Sequence, residues 1–193
     1  MTDVEKCREK FIEQYNKYIK RDGADRLLSY LESTDFFTAP ASTRFHSHFE
    51  GGLCYHSLMV FMEMIRLLKA YPEVQISGET AAIISLLHDI CKVNTYKISM
   101  RNVKEDGKWV QKPYYEFDED FSFGSHGAKS VYIIQKYMQL SDEEAVAINC
   151  HMGLSDRPTN DLGISGAYKQ YPIAWLLHVA DESASYIKEK EVQ

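Results

Sequence analysis

Residues 78–93 read GETAAIISLLHDICKV. From Ala81 to Leu87 only Ser85 carries a polar group. His88 and Asp89 follow directly, and Lys92 comes three residues later. The spacing predicts a helix over 78–93 that is apolar nearly all round, and such a helix is normally buried. An imidazole, a carboxylate and an ammonium placed there are costly unless they pair or bind a metal. Lys92 lies three residues after Asp89 and four after His88, so a helix would bring all three to one face.

Helical patterns extend on both sides. Upstream, Gly51-Gly52 opens a long helix to about Ala70, ended by Tyr71-Pro72. Residues 34–50 are irregular around Pro40. Two shorter helices, 3–20 and 24–33, precede them. Downstream, YKISMRNVK (96–104) and KWVQKPYYEF (108–117) are rich in β-branched and aromatic residues, with Glu105-Asp106-Gly107 between them. That is a β-hairpin signal. Its aromatics Tyr96, Trp109, Tyr114 and Tyr115 are expected to pack it on the helices. Helices resume at Ser125–Met138 and Ser141–Met152, the second opened by a Ser141/Glu144 capping box and stopped at Gly153. Residues 153–170 read as a polar loop, and the last helix covers about Pro172–Lys188. The expectation is an all-α fold with one inserted hairpin at about 95–117. It is one domain over 1–193, with a core at about 40–188 and helices 3–33 packed on it.

Lys and Arg number 22 against 28 Asp and Glu, a net charge of −6. General duplex nucleic-acid binding and anionic membrane surfaces both ask for a basic face, so neither is expected. A nucleotide remains compatible, because bound cations would supply local positive charge. No apolar run approaches the roughly 20 residues that span a bilayer. The charged N-terminus MTDVEKCREK lacks a secretory leader's apolar stretch. Cys7, Cys54, Cys91 and Cys150 form no CxxC pair and read as reduced thiols. Together these point to a cytoplasmic protein.

Further metal-competent groups lie on other helices. His56 sits early in the Gly51–Ala70 helix, His126 at the start of a helix and His151 near the end of one. Asp181 lies in the apolar run IAWLLHVADESA (173–184). Taken singly, each is more often a satisfied core or cap residue. As a set they bring imidazole and carboxylate groups onto several helices, a donor chemistry suited to Fe, Mn, Ni, Co or Zn.

The order H…HD…H…H…D over helices resembles the HD-domain superfamily of metal-dependent phosphohydrolases, across about residues 40–185. APASTRFHSHFEGGLCYHS (39–57) is similar to the start of the HD domain in bacterial 3′-to-5′ exoribonucleases. HDICK resembles the family's HD-x-x-K pattern, and LLHVADESAS resembles its final Asp helix. The resemblance implies an HD-domain helical bundle and two divalent metal ions. His56, His88 and Asp181 would bind one, His126 and His151 the other, and Asp89 would bridge them. His126 and His151 mark the binuclear branch.

Two such metals would lower the pKa of a bridging water and polarise a phosphoryl oxygen. The implied substrate is a nucleotide or the end of a short oligonucleotide. Catalysis would rest on Asp89 and Lys92, with Lys92 as a phosphate contact. His46 matches the family's upstream His at the pocket mouth. Arg44, Lys129 and Arg157 are further candidate contacts to phosphate. His48 reads as surface, and His178, one turn before Asp181, as a core residue or a partner of Asp181. Two other functions fit the same ligand pattern: an HD-type mixed-valence diiron oxygenase, and a non-catalytic nucleotide-binding module.

Overall fold

The burial expected for the His-Asp helix holds, and the elements around it are helical. The computed structural model describes residues 3–119, 121–155 and 163–189. Among these residues the architecture is eight α-helices and one two-stranded sheet. The helices are α1 (Asp3–Tyr18), α2 (Ala24–Glu32), α3 (Gly52–Ala70), α4 (Gly78–Leu87), α5 (His126–Gln135), α6 (Asp142–Cys150), α7 (Gly163–Gln170) and α8 (Pro172–Ser183). No described helix is long and apolar enough to cross a membrane.

Helix α4 is the centre of the packing. Thr80 through Leu87 are all buried, and α4 lies against α1, α3 and α6. Its N-terminus is fixed by Ser77, whose hydroxyl accepts a hydrogen bond from the Thr80 amide at 2.9 Å, a cap that stabilises by about 0.5–2 kcal/mol. Helix α6 carries the expected capping box of Ser141 and Glu144. The Glu144 carboxylate also receives Arg21 Nη1 and Nη2 at 2.7 and 2.8 Å. That two-pronged pair ties the turn between α1 and α2 to α6. Phe11 of α1 packs its ring against Phe36 and Phe37, with centroids 4.9 and 5.6 Å away.

Three expectations need correction. Helix α4 stops at Leu87, well short of residue 93. Asp89 leaves the helix (φ −106°, ψ 17°), and Ile90–Lys92 form a 3₁₀ turn. Residues i and i+3 eclipse in that geometry, so Asp89 and Lys92 still meet. The expected loop 153–170 contains α7, whose Ile164 is buried and whose Tyr168 packs against the core. Its Gly-Ile-Ser-Gly start carries no strong helical signal.

The third correction concerns the hairpin. β1 (Tyr96–Glu105) pairs with β2 (Lys108–Phe117) in antiparallel register, from Tyr96 opposite Phe117 to Glu105 opposite Lys108. Asp106 and Gly107 have φ of 49° and 81°, and a two-residue turn with both φ positive matches the twist of the strands. Tyr96, Tyr114 and Tyr115 are half-buried. Trp109, near the tip, is 71% exposed and does not pack on the helices.

Candidate metal centre

Each donor reaches the centre from a different piece of backbone. His56 projects from the second turn of α3. That helix begins under the 41–47 loop: a Cβ on Gly52 would stand 1.9 Å from the Ser47 carbonyl oxygen, so only glycine permits the approach. His88 is the C-cap of α4 and His151 the C-cap of α6. Two helix C-termini therefore point their partial negative charge at one place, which favours a cation there. Asp181 comes from the third turn of α8.

The three histidines share one arrangement. His88 Nδ1 lies 2.8 Å from the Ser85 carbonyl, His151 Nδ1 lies 2.7 Å from the Ile148 carbonyl, and His56 Nδ1 lies 2.7 Å from Glu189 Oε1. Carbonyls and carboxylates only accept, so each Nδ1 carries a proton. Each Nε2 is thereby turned inward as the free donor atom, the way protein histidines are prepared for metals. Those nitrogens meet two carboxylates. His56 Nε2 lies 3.2 Å from His88 Nε2 and 3.1 Å from Asp181 Oδ1. Asp89 Oδ2 lies 3.5 Å from His88 Nε2, and Asp89 Oδ1 lies 3.5 Å from His151 Nε2.

All five groups are buried. His56, His88 and Asp181 offer donor atoms within 4.8 Å of one another, as do His88, Asp89 and His151. Around a tetrahedral ion with bonds of about 2.0–2.1 Å, neighbouring donors stand about 3.3 Å apart. The observed spacings match. The buried Nε2 of His151 also makes no hydrogen bond, a vacancy that costs free energy unless something binds it. The donor set fits a divalent metal.

Electrostatics agree. Burial pulls the His56 pKa down, but the hydrogen bonds to Asp181 and Glu189 outweigh it and lift it to about 10. Burial dominates at His88 and lowers it to about 4. Asp89 is held well below the usual carboxylate range: burial opposes this, but Lys92 and His88 prevail. With its pKa raised, metal-free His56 carries a second proton near neutral pH, on the Nε2 that faces Asp181 and His88.

Lys92 Nζ contacts Asp89 Oδ2 at 2.7 Å. It lines a cavity of about 250 Å³ together with Phe45, His46, Asp89, Met152, Ser155, Asp181, Glu182, Ser185 and Tyr186. The cavity is thus floored by two of the candidate ligands. The His46 ring lies 4.7 Å from the His56 ring, and its buried Nε2 has no hydrogen-bond partner. Burial lowers the His46 pKa to about 4, so it is neutral near pH 7.

The remaining expected residues are not gathered here. His126 is exposed at the first position of α5, outside the groups within 4.8 Å. Lys129 is buried and its ammonium meets Glu119. Arg44 and His48 are exposed, with His48 Nδ1 donating to the Phe45 carbonyl. His178 reaches the backbone carbonyl of His151 at 2.7 Å rather than Asp181. Arg157 lies outside the described residues. The four cysteines are free thiols. Cys91, beside Asp89, is pushed up to about 12 by burial, so it is no thiolate ligand at neutral pH.

Sequence reasoning missed Glu189 and Ser47. The first lies in a charged stretch, IKEKE, that reads as a solvated helix end. Nothing local signals that its carboxylate is buried.

The family model for the HD domain matches residues 53–185. The chain belongs to that family, whose members are in general metal-dependent phosphohydrolases. Neither a curated protein nor a solved structure matches it.

Proposed function

We propose that the protein is a metal-dependent phosphohydrolase acting on a nucleotide or the end of a short oligonucleotide. The observation that carries this reading is the set of inward-turned Nε2 atoms converging with Asp89 and Asp181 on the floor of a cavity that Lys92 also lines. In this reading His56, His88 and Asp181 would hold a first divalent metal, and Asp89 and His151 would hold a second. His126 would join the second only if the first turn of α5 moves inward. Fe, Mn, Ni, Co and Zn all suit such donors. Bound there, the metals would supply acidification of a water and charge neutralisation at a phosphoryl oxygen.

The chain's own groups set the rest. Lys92 is held charged by Asp89 at the cavity wall and would meet a phosphate oxygen as a point charge. Neutral His46 offers a ring nitrogen at the mouth. Phe45 and Tyr186 flank the same opening and would cover an apolar or aromatic part of the substrate. The similarity of 39–57 to exoribonuclease HD domains supports a nucleotide or strand end as substrate.

A panel of nucleotides, cyclic nucleotides and short RNA and DNA oligomers, assayed with each metal, tests the reading. Turnover that depends on added metal and is lost in Asp89→Ala is expected. A panel with no turnover above Asp89→Ala in any metal sinks it.

A further inference from the structure

One buried carboxylate near the centre is not among its expected ligands. Glu189 lies in the segment after α8 and is enclosed by the protein. Its two oxygens have separate partners: Oε1 takes the Nδ1 proton of His56 at 2.7 Å, and Oε2 takes the Ser47 hydroxyl at 2.6 Å. The opposite edge of the same imidazole faces Asp181 at 3.1 Å. A single C-terminal segment therefore grips both edges of His56, through residues eight apart.

The backbone between them is unusual. Helix α8 ends at Ser183, and Ala184–Lys188 form a π-helical turn. Such turns are rare and cluster at functional sites. Hydrogen bonds of the i→i+5 kind widen the helix and change the direction of every later side chain. Residues 186–188 are exposed, while Glu189 is turned back into the protein. Ser47, its second partner, has φ 45°, a left-handed conformation that is uncommon for serine.

We propose that Glu189 is a positioning residue for the metal centre: it fixes the proton of His56 on Nδ1, orients the ring and so delivers Nε2 to the metal. The inference rests on the reading of the cluster as a metal site, but not on any reaction. A carboxylate behind a ligating imidazole holds its tautomer and raises its basicity. Among His56, His88 and His151, Glu189 does this for the one whose Nδ1 meets a side chain instead of a backbone carbonyl. His46, His56 and Glu189 also lie within 4.8 Å of one another. They are not a further metal site in this account, because His56 Nδ1 is occupied by the proton Glu189 holds.

The test compares the wild-type protein with Glu189→Gln and Glu189→Leu by chelator competition with Zn²⁺ and Mn²⁺. Thermal unfolding of the metal-free proteins serves as the control for folding. Gln keeps the shape and an acceptor but loses the charge. The expected result is a roughly 10- to 100-fold loss of metal affinity, larger for Leu than for Gln, with Gln still folding cooperatively when metal-free but at a lower midpoint, because the buried His56 loses a charged partner. A second measurement needs no variant: the ¹⁵N spectrum of histidine-labelled, zinc-loaded wild type should place the His56 proton on Nδ1 and zinc on Nε2. Glu189→Leu binding metal within twofold of wild type overturns the proposal, as does a His56 proton on Nε2. Failure of the wild type to bind metal removes the metal site itself, and this inference with it.

Discussion

His56 Nε2 and His88 Nε2 stand 3.2 Å apart, each with its own Nδ1 hydrogen bond on the far side of the ring. Two neutral imidazoles so placed would press lone pair on lone pair. The metal-free protein avoids this by keeping His56 protonated between Asp181 and Glu189. A metal would relieve the same conflict by accepting both lone pairs. The pair therefore links proton binding, metal binding and stability.

That linkage gives a pH dependence. The folded pKa of His56 is about 10 against an ordinary 6.5. Its stabilisation is fully present below pH 6.5 and is lost as pH rises towards 10. His88 and His46 are shifted the other way, to about 4. Their contribution is present above 6.5 and is lost as pH falls towards 4. Thermal unfolding in chelator should therefore show a maximum near pH 6–7, falling on both sides. With metal bound the alkaline arm should flatten, because metal replaces the Nε2 proton. A metal-free midpoint that rises steadily from pH 7 to 10 would contradict the assignment.

Metal should also stabilise the fold directly. Free metal at 100 times its dissociation constant adds about 2.7 kcal/mol. For a chain of this size that is roughly 5–10 °C in unfolding midpoint. Calorimetry with increasing Mn²⁺ or Zn²⁺ should show the rise in wild type and its absence in Asp181→Ala. A rise of equal size in both would place the bound metal elsewhere.

Lys92→Met separates a substrate contact from a structural role. The methionine keeps most of the apolar stem while removing the ammonium beside Asp89. The expected result is retained metal content with activity reduced about 10-fold or more, chiefly through a raised KM if Lys92 grips ground-state phosphate. Unchanged kinetics on every active substrate would make Lys92 charge balance for Asp89 alone. Asp89→Ala is expected to be worse for folding, since it strands the Lys92 ammonium. Removing one member of a buried pair costs about 3–5 kcal/mol.

His126 gives a stoichiometric prediction. His56, His88 and Asp181 already stand close enough to hold a metal ion, whereas His126 is exposed at the start of α5. Titration should show one tight site and one weaker site, with His126→Ala abolishing only the weaker. Loss of the tight site in that variant would mean that α5 belongs to the first metal's surroundings.

Much of this centre was legible in the sequence for a simple reason. His88, Asp89 and Asp181 stand in stretches so apolar that their burial could be read directly, and their order matched one superfamily. His56 and His151 became meaningful only as members of that set. The exact helix boundary at His88 was not legible: a 3₁₀ turn and an α-helix share the i, i+3 spacing that joins Asp89 to Lys92. Helix α7 was hidden by its glycines, since burial of Ile164 against the core outweighs their poor propensity. Glu189 was hidden by a non-local effect. A π-turn redirects it, and no periodicity in SYIKEKE announces that. Lys129 was expected as a phosphate contact, and only the fold pairs it with Glu119.

The most direct test is the metal content of the purified protein. Wild type prepared without chelator, or reconstituted with a divalent transition metal and desalted, should retain at least one metal ion per chain by mass spectrometry. His88→Gln, folded by circular dichroism, should retain none. Wild type that holds no stoichiometric metal under any loading condition, or His88→Gln that holds as much as wild type, would contradict the account.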